Sequence, residues 1–462
     1  MPATEGSTEG STEGSSDGAA RGSARSTALF TDRYELTMLA AALADGTAQR
    51  RCVFETFARR LPAGRRYGVV AGIGRLVDAL ADFTFGEAEL EQLRPFLDPA
   101  TLEYLAGYRF TGDIDGYPEG ELFFPGSPVL TVTGTFANAV ILETLVLSVL
   151  NHDCAIAAAA ARMVSAAGDR PLIEMGTRRT HEEAAVAAAR AAWLAGFAAT
   201  SNLEAGRRYG LPTTGTAAHA FTLLHDTEEA AFAAQVAALG VGTTLLVDTY
   251  DITRGIETAV RVAGPELGAV RIDSGDLAVL TRAARRQLDG LGATGTKIVL
   301  SGDLDEYAIA ALRADPVDVY GVGTSLVTGS GAPTAGMVYK LVEVEGRPVE
   351  KRSKDKVSHG GRKSVLRRAK ASGTVTEEII FRGTEQDARA AAGPHDRVVP
   401  VPLVRDGRPV PDRPDLAGAR DHLRHALTTL PWEGLTLAEG DPAIPSTQLT
   451  GPPADRTDAE PR

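Results

Sequence analysis

The chain has 462 residues, enough for two or three domains around a large core. Hydrophobic residues make up 44% and charged residues 23%, the balance of an ordinary globular protein. A formal net charge of −12 argues against a general nucleic-acid or anionic-membrane binder, although arginines and backbone N–H groups gathered locally can still hold phosphates.

Residues 4–15 repeat Thr-Glu-Gly-Ser, and the Gly/Ser-rich character runs on to about residue 26. Such a segment buries too little apolar surface to offset its ordering entropy, so 1–26 reads as a disordered tail. It has no apolar core and does not read as a secretory signal. The two cysteines, Cys52 and Cys154, form no CxxC pair and no disulfide framework. Two buried thiols in a cytoplasmic protein are expected. Apolar runs such as 137–150 are interrupted by Asn138 and Glu143, so no membrane span is expected.

Residues 27–155 mix both kinds of element and read as an N-terminal α/β domain. Val53–Phe57 and Val129–Val132 are strand-like, and Asn138–Val149 reads as an apolar helix. From 156 to 345 short β-branched runs alternate with Ala/Leu/Arg/Glu helical runs. The strands expected are Pro171–Met175, Phe197–Ser201, Thr213–Ala218, Thr243–Val247, Ala269–Ile272, Lys297–Leu300 and Val317–Tyr320. Helical runs between them include Glu182–Leu194, Glu228–Ala238, Leu277–Leu288 and Glu306–Arg313. This βα rhythm implies a mostly parallel sheet, closed or partly closed into a barrel. Residues 346–440 are less regular, open with a basic stretch from Lys351 to Lys370, and are expected to pack on the first region. Residues 441–462 read as a flexible tail.

Polar residues gather just past the ends of the expected strands: Arg178 and Arg179, Thr200-Ser-Asn202, His219, Asp248, Asp273, Ser301 and Gly302, and Gly323 with Thr324. In a βα barrel this rim carries the active site. Arginine offers a two-pronged donor to phosphate, and glycine lets backbone N–H groups come close. Carboxylates such as Asp248 and Asp273 suit Mg²⁺ together with substrate phosphates. His219 lies among small residues, where its imidazole is reachable as nucleophile or base. Each feature also has a plainer reading. A lone histidine at a strand end is commonly structural, Arg271 with Asp273 can be a structural ion pair, and Gly321-Val-Gly-Thr324 can be a tight turn. The basic run can be a solvated loop. The residues by themselves point to phosphate or diphosphate chemistry and give no substrate.

An ordered set of motifs resembles the nicotinate phosphoribosyltransferases, members of the type II phosphoribosyltransferase group. It begins with Thr31-Asp-Arg-Tyr-Glu-Leu-Thr-Met38, Phe54-Glu-Thr-Phe57 and Leu61-Pro-Ala-Gly-Arg65. Glu174-Met-Gly-Thr-Arg-Arg179, Gly215-Thr-Ala-Ala-His219, Val247-Asp-Thr-Tyr-Asp251, Arg271-Ile-Asp-Ser-Gly-Asp276, Ser301-Gly-Asp303 and Gly321-Val-Gly-Thr324 follow in family order. The resemblance implies an irregular TIM-like α/β barrel with a second, smaller α/β domain formed from N- and C-terminal segments. It implies condensation of nicotinate with phosphoribosyl diphosphate, coupled to ATP hydrolysis in the manner of a ligase, in NAD salvage. It further implies Mg²⁺, whose ligands the motifs do not define, and a homodimer with sites completed across the interface.

The same resemblance implies roles for individual residues. His219 matches the histidine that ATP phosphorylates, and Tyr34 the aromatic that stacks on the pyridine ring, in its own subunit or across the dimer. Thr216 and Arg271 match contacts to nicotinate, and Arg178 with Arg179 an arginine pair near the substrates. Asp248 and Asp273 match carboxylates at the ribose and the diphosphate–Mg²⁺ end. Ser301, Gly302, Gly323 and Thr324 match loops that hold the 5′-phosphate. The rivals are a nicotinamide- or quinolinate-using sister enzyme and an inactive ligand-binding relative. The nicotinamide enzymes keep an acid near the ring, whereas Thr200-Ser-Asn202 has none. Glu204, Thr180-His181 and the absence of a proline in Ser358-His-Gly-Gly-Arg-Lys363 depart from the family pattern.

Overall fold

The structure is a computed structural model that describes residues 26–351 and 359–453. The repetitive tail read over 1–26 lies almost wholly outside these residues, as do 352–358 of the basic run and 454–462 at the end.

A parallel sheet forms the centre. Its order is Ala199–Thr200, Leu172–Glu174, Val319–Val322, Lys297–Leu300, Ala269–Ile272, Thr244–Leu246. Helices Glu182–Ala195, Ile252–Ala263 and Leu277–Gly290 lie between successive strands, giving an irregular α/β barrel. Thr213–Ala218, expected as a strand, is not one. Only Thr213 bridges to Thr200, and the run beyond it is extended loop. Beyond the Thr214 N–H, which donates to the Thr200 carbonyl, no ladder continues, and an added Cβ at Gly215 would meet open space.

A second, smaller unit draws on distant parts of the chain. Its antiparallel sheet runs Arg347–Pro348, Met337–Val344, Arg51–Ala58, Leu130–Thr135, Asp113–Gly116, Val401–Arg405, Arg408–Pro409. The barrel boundary read at 345 therefore falls late, because Met337–Val344 already belongs to this sheet. Met337 and Tyr339 are buried while Val338 and Lys340 are half-exposed, as expected of a strand packed on one face; the alternation breaks at buried Val342, where the register with Arg51–Ala58 shifts. Phe54 stacks on Tyr339 with ring centroids 4.8 Å apart.

One helix serves both units. Glu143–Ala167 places Leu145, Val149 and Leu150 in the core of the smaller unit and Ile156, Ala160 and Met163 in that of the barrel. The helix read over Asn138–Val149 is in fact broken. Phe136–Val140 ends at Ile141, and a new helix starts at Glu143, where the buried Glu35 carboxyl accepts the Thr144 N–H at 3.1 Å. By length and hydropathy Phe136–Ala167 is apolar enough to cross a membrane, but 67% of its apolar window is buried inside the fold.

The C-terminal region packs on the smaller unit through a sheet ordered Arg397–Val398, Lys363–Ala369, Val375–Arg382, Ser446–Leu449. The flexible tail read from 441 is corrected here. Ser446–Leu449 pairs parallel to Val375–Arg382 and covers what would otherwise be an open sheet edge. Buried Arg367 bridges Glu121 and Glu378, and Arg397 and His422 also reach Glu121. Cys52 and Cys154 are buried free thiols.

Candidate active site

The site follows from strand alternation. Successive side chains on a strand point to opposite faces, so every second residue faces the bore. Leu246, Arg271 and Gly321 face it from within their strands, and Met175, Asp273, Ser301 and Gly323 follow in the turns just beyond the strand ends. All of them line one cavity of about 470 Å³ at the C-terminal ends of the strands. Arg178, Arg179, Thr216, His219, Gly302 and Thr324 line it as well. A larger hollow of about 620 Å³ lies toward the strand starts, lined by Thr244, Ala269 and Lys297. It shares Met175 and Thr214–Thr216 with the first cavity but holds none of the paired cations and carboxylates.

Arg271 organises the cavity. Its Nε donates to Ser301 Oγ at 2.8 Å, Nη1 to Thr216 Oγ1 at 2.8 Å, and Nη2 to Asp273 Oδ1 at 2.9 Å. Ser301 also donates to Asp273 Oδ1. Burial opposes ionisation of Asp273. The hydrogen bonds from Ser301 and Arg271, with the Arg271 charge, outweigh it and hold the carboxyl below its ordinary range. The Arg271–Asp273 pair is thus real, and it stands in the cavity wall rather than away from it. Gly302 turns the chain with φ +116°, and a Cβ there would lie 2.5 Å from the Asp273 carbonyl oxygen, so only glycine fits.

His219 starts the short helix His219–Leu223. Its side chain is 41% exposed, so the imidazole is open to ligand. Nδ1 lies 3.1 Å from Thr249 Oγ1, and Nε2 lies 3.8 Å from Asp248 Oδ1. Asp248 is buried behind the cavity wall. Its Oδ2 accepts the Asp273 N–H at 2.8 Å and the Ser274 hydroxyl at 2.9 Å, while Oδ1 has no hydrogen-bond partner among the described residues.

Arg178 and Arg179 sit in the turn Thr177–Arg179 and make no ion pair among the described residues. Two unneutralised guanidinium groups therefore face the cavity. Behind them Glu174 is buried, and its carboxyl accepts the Gly176 N–H and the Thr200 hydroxyl. Burial pushes its pKa up, against those two hydrogen bonds.

Two expected site residues do not line the cavity: Asp248, which stands behind its wall, and Tyr34, which lies on the other unit. Tyr34 is on helix Arg33–Asp45 of the smaller unit and is 47% exposed. Burial and the nearby Glu143 and Glu35 carboxylates raise its phenol above the ordinary value. Sequence reasoning missed Thr249 and Glu174 as polar partners of the site, and placed Ser274 at the rim without giving it a role. Thr249 and Ser274 each directly follow a named aspartate, and Glu174 is an acid closing the apolar run Pro171-Leu-Ile. Two of the departures from the family pattern have local partners, while the third begins at Ser358, outside the described residues. Glu204 binds Arg207 and Arg208, which hold its carboxyl down at about 2, and His181 accepts the Glu183 N–H at the start of helix Glu182–Ala195.

A barrel rim that brings arginines, a reachable imidazole and small turns around one cavity defines an α/β-barrel enzyme for anionic, phosphate-bearing substrates. The family model for the nicotinate phosphoribosyltransferase (NAPRTase) N-terminal domain matches residues 29–151. Nicotinate phosphoribosyltransferase pncB1 of Mycobacterium tuberculosis (strain ATCC 25618 / H37Rv) is 66% identical over 429 residues, covering 91% of this chain and 95% of that protein. The nicotinate phosphoribosyltransferase of Bacillus subtilis (strain 168) is 40% identical, covering 74% and 73%. The crystal structure of human nicotinic acid phosphoribosyltransferase superposes with a TM-score of 0.78 at 26% identity, covering 90% of this chain and 97% of that one. The chain belongs to the nicotinate phosphoribosyltransferase family.

Proposed function

We propose that this protein condenses nicotinate with 5-phosphoribosyl 1-diphosphate to nicotinate mononucleotide and diphosphate, in NAD salvage, and couples this to ATP hydrolysis through phosphorylated His219. The observation that carries the reading is the single cavity shared by Arg178, Arg179, Arg271, Asp273 and His219. The pyridine nitrogen attacks C1 of the ribose as the bond from C1 to the diphosphate oxygen breaks. Positive charge builds on the ribose and negative charge on the leaving diphosphate. Arg178 and Arg179 have free donors for the diphosphate, and the turns at Gly302 and Gly323–Thr324 would offer backbone N–H groups to the 5′-phosphate, while the Ser301 N–H is taken by the Ile272 carbonyl.

Arg271 would hold the nicotinate carboxylate together with Thr216. Because Nδ1 of His219 is taken by Thr249, Nε2 is the atom that would accept a phosphoryl group from ATP. Among the described residues no three His, Cys, Asp or Glu side chains gather as a metal cage. This suits a Mg²⁺ carried on substrate phosphates and held by one or two carboxylates. Asp273, which lines the cavity and whose hydrogen bonds fall on Oδ1, is the donor that fits. The ion would supply charge stabilisation to the leaving diphosphate.

The protein acts as a homodimer in this reading. Phe30, Tyr34 and Met38, spaced four residues apart, are exposed, and so are Leu203, Leu223, Leu224 and Tyr250 on segments flanking the cavity. A second copy laying the first set over the second would bring Tyr34 to the site. Two buried free thiols fit a reducing, cytoplasmic location. Nicotinamide and quinolinate are less suited. Thr200-Ser-Asn202 offers no acid to an amide, and Arg271, the one arginine tied to Thr216, matches one carboxylate rather than two. Mass-spectrometric product identification with each pyridine, with and without ATP, tests the reading. Nicotinate mononucleotide formed faster with ATP supports it, and product from another pyridine alone replaces it.

A further inference from the structure

The Glu174 carboxyl closes the barrel strand Leu172–Glu174 and is fully buried, with no ion pair among the described residues. One oxygen accepts the N–H of Gly176, which opens the turn carrying Arg178 and Arg179. The other accepts the hydroxyl of Thr200, which opens the loop carrying Ser201. From these bonds we infer that Glu174 is a positioning residue for phosphoribosyl transfer, one carboxyl fixing the spacing between the arginine turn and the Thr200–Asn202 loop. The inference rests on the transferase reading above.

The surroundings leave this carboxyl little freedom. The Thr200 hydroxyl that donates to Glu174 also accepts the Asn202 N–H at 2.9 Å. Asn202 Nδ2 donates to Thr177 Oγ1 at 3.2 Å, a second strut between the same two segments. On its far side Gly176 is wedged: a Cβ there would lie 2.2 Å from Val327 Cγ1 and 3.0 Å from the Gly323 carbonyl oxygen. The turn is thus held between Glu174 and the loop that carries Gly323 and Thr324. Any shift of it moves both guanidinium groups relative to Arg271, Ser301 and Thr324.

The chemistry selects a carboxyl or its uncharged mimic. Two donors at fixed spacing need facing polar atoms, which an apolar side chain lacks. Removing them leaves a buried N–H and a buried hydroxyl unpaired. A glutamine keeps one acceptor for Gly176, and its NH₂ can donate to the second lone pair of the Thr200 oxygen. An uncharged group here also adds no negative charge beside a cavity that binds anions.

Steady-state kinetics of Glu174→Gln, Glu174→Ala and Thr200→Val test this. The alanine variant, which loses both buried hydrogen bonds, is expected to raise KM for phosphoribosyl diphosphate about tenfold or more, with a smaller change in kcat. The glutamine variant is expected to return KM to within about threefold of the unsubstituted protein. Thr200→Val, which keeps the shape and the Glu174–Gly176 bond but loses both the bond to Glu174 and the acceptor of the Asn202 N–H, is expected to fall between them and is the deciding variant if the alanine one does not fold. Unchanged KM in the alanine or valine variant, or a glutamine variant as impaired as the alanine one, overturns the inference. Turnover by the unsubstituted protein tests the transferase reading separately. Without turnover, calorimetric binding of inorganic diphosphate to the same proteins replaces KM: the same ranking of affinities supports the inference, and unchanged affinity in the alanine or valine variant overturns it.

Discussion

Nε2 of His219 lies 3.8 Å from Oδ1 of Asp248, a buried oxygen that no other described group satisfies. Nδ1 lies 3.1 Å from Thr249 Oγ1, and in the tautomer where Nδ1 donates to that hydroxyl Nε2 keeps its lone pair, as the proposed phosphoryl transfer requires.

This geometry sets the first expectation. His219→Ala abolishes ATP hydrolysis and acid-labile phosphate labelling but leaves slow, ATP-independent formation of product, because Arg178, Arg179 and Arg271 remain. Radiolabelled ATP and product chromatography measure both. Full ATPase activity in the variant would refute the phosphohistidine assignment.

Arg271→Ala weakens nicotinate binding by about 2–5 kcal/mol, the range for removing one partner of a buried charge pair. Arg271→Lys recovers only part of this, since one ammonium cannot serve Ser301, Thr216 and Asp273 together with a ligand carboxylate. Calorimetry with nicotinate reads both variants. An unchanged affinity in the alanine variant counts against the role.

The Glu174 carboxyl has a pH signature in stability. Its folded pKa is raised by burial above the ordinary 4.5, so the unfolded chain releases the proton first. The unfolded state then binds fewer protons, and stability falls as pH rises above 4.5 until the folded pKa is passed. Glu174→Gln lacks this loss. The melting temperature of Glu174→Gln minus that of the unsubstituted protein should therefore widen with pH above that value. A pH-independent difference would show that the carboxyl titrates alike in both states.

Arg367 tests the joint between barrel, smaller unit and C-terminal sheet. It is 3% exposed and neutralises Glu121 and Glu378, which are both buried. Arg367→Ala leaves those carboxylates without their shared partner and should destabilise the fold by about 3–5 kcal/mol, read from denaturant unfolding. A loss under about 1 kcal/mol would mean that Arg397 and His422 suffice for Glu121.

Much of the barrel is legible along the chain. Ala269–Ile272 and Lys297–Leu300 are strands at the bounds that their β-branched runs imply, and Glu182–Ala195 extends the expected helix by one residue. Thr213–Ala218 resembles its neighbours in composition, but composition cannot say whether a partner strand lies in reach, and none does beyond Thr213. The same limit explains Met337–Val344 and Ser446–Leu449. Each groups with its neighbours along the chain, while its hydrogen bonds go to segments far away in sequence.

The order of residue types alone determined the rim, because a period-2 strand ending in polar residues must present them at one mouth. It brought Arg271, Asp273, Ser301 and Gly323 to one place. Only the tertiary structure decided that Thr249 steadies His219, that Asp248 stands behind the wall, and that Tyr34 lies apart on another unit. Those relations depend on distances between segments that are remote in sequence. Packing sets such distances, and no local periodicity encodes them.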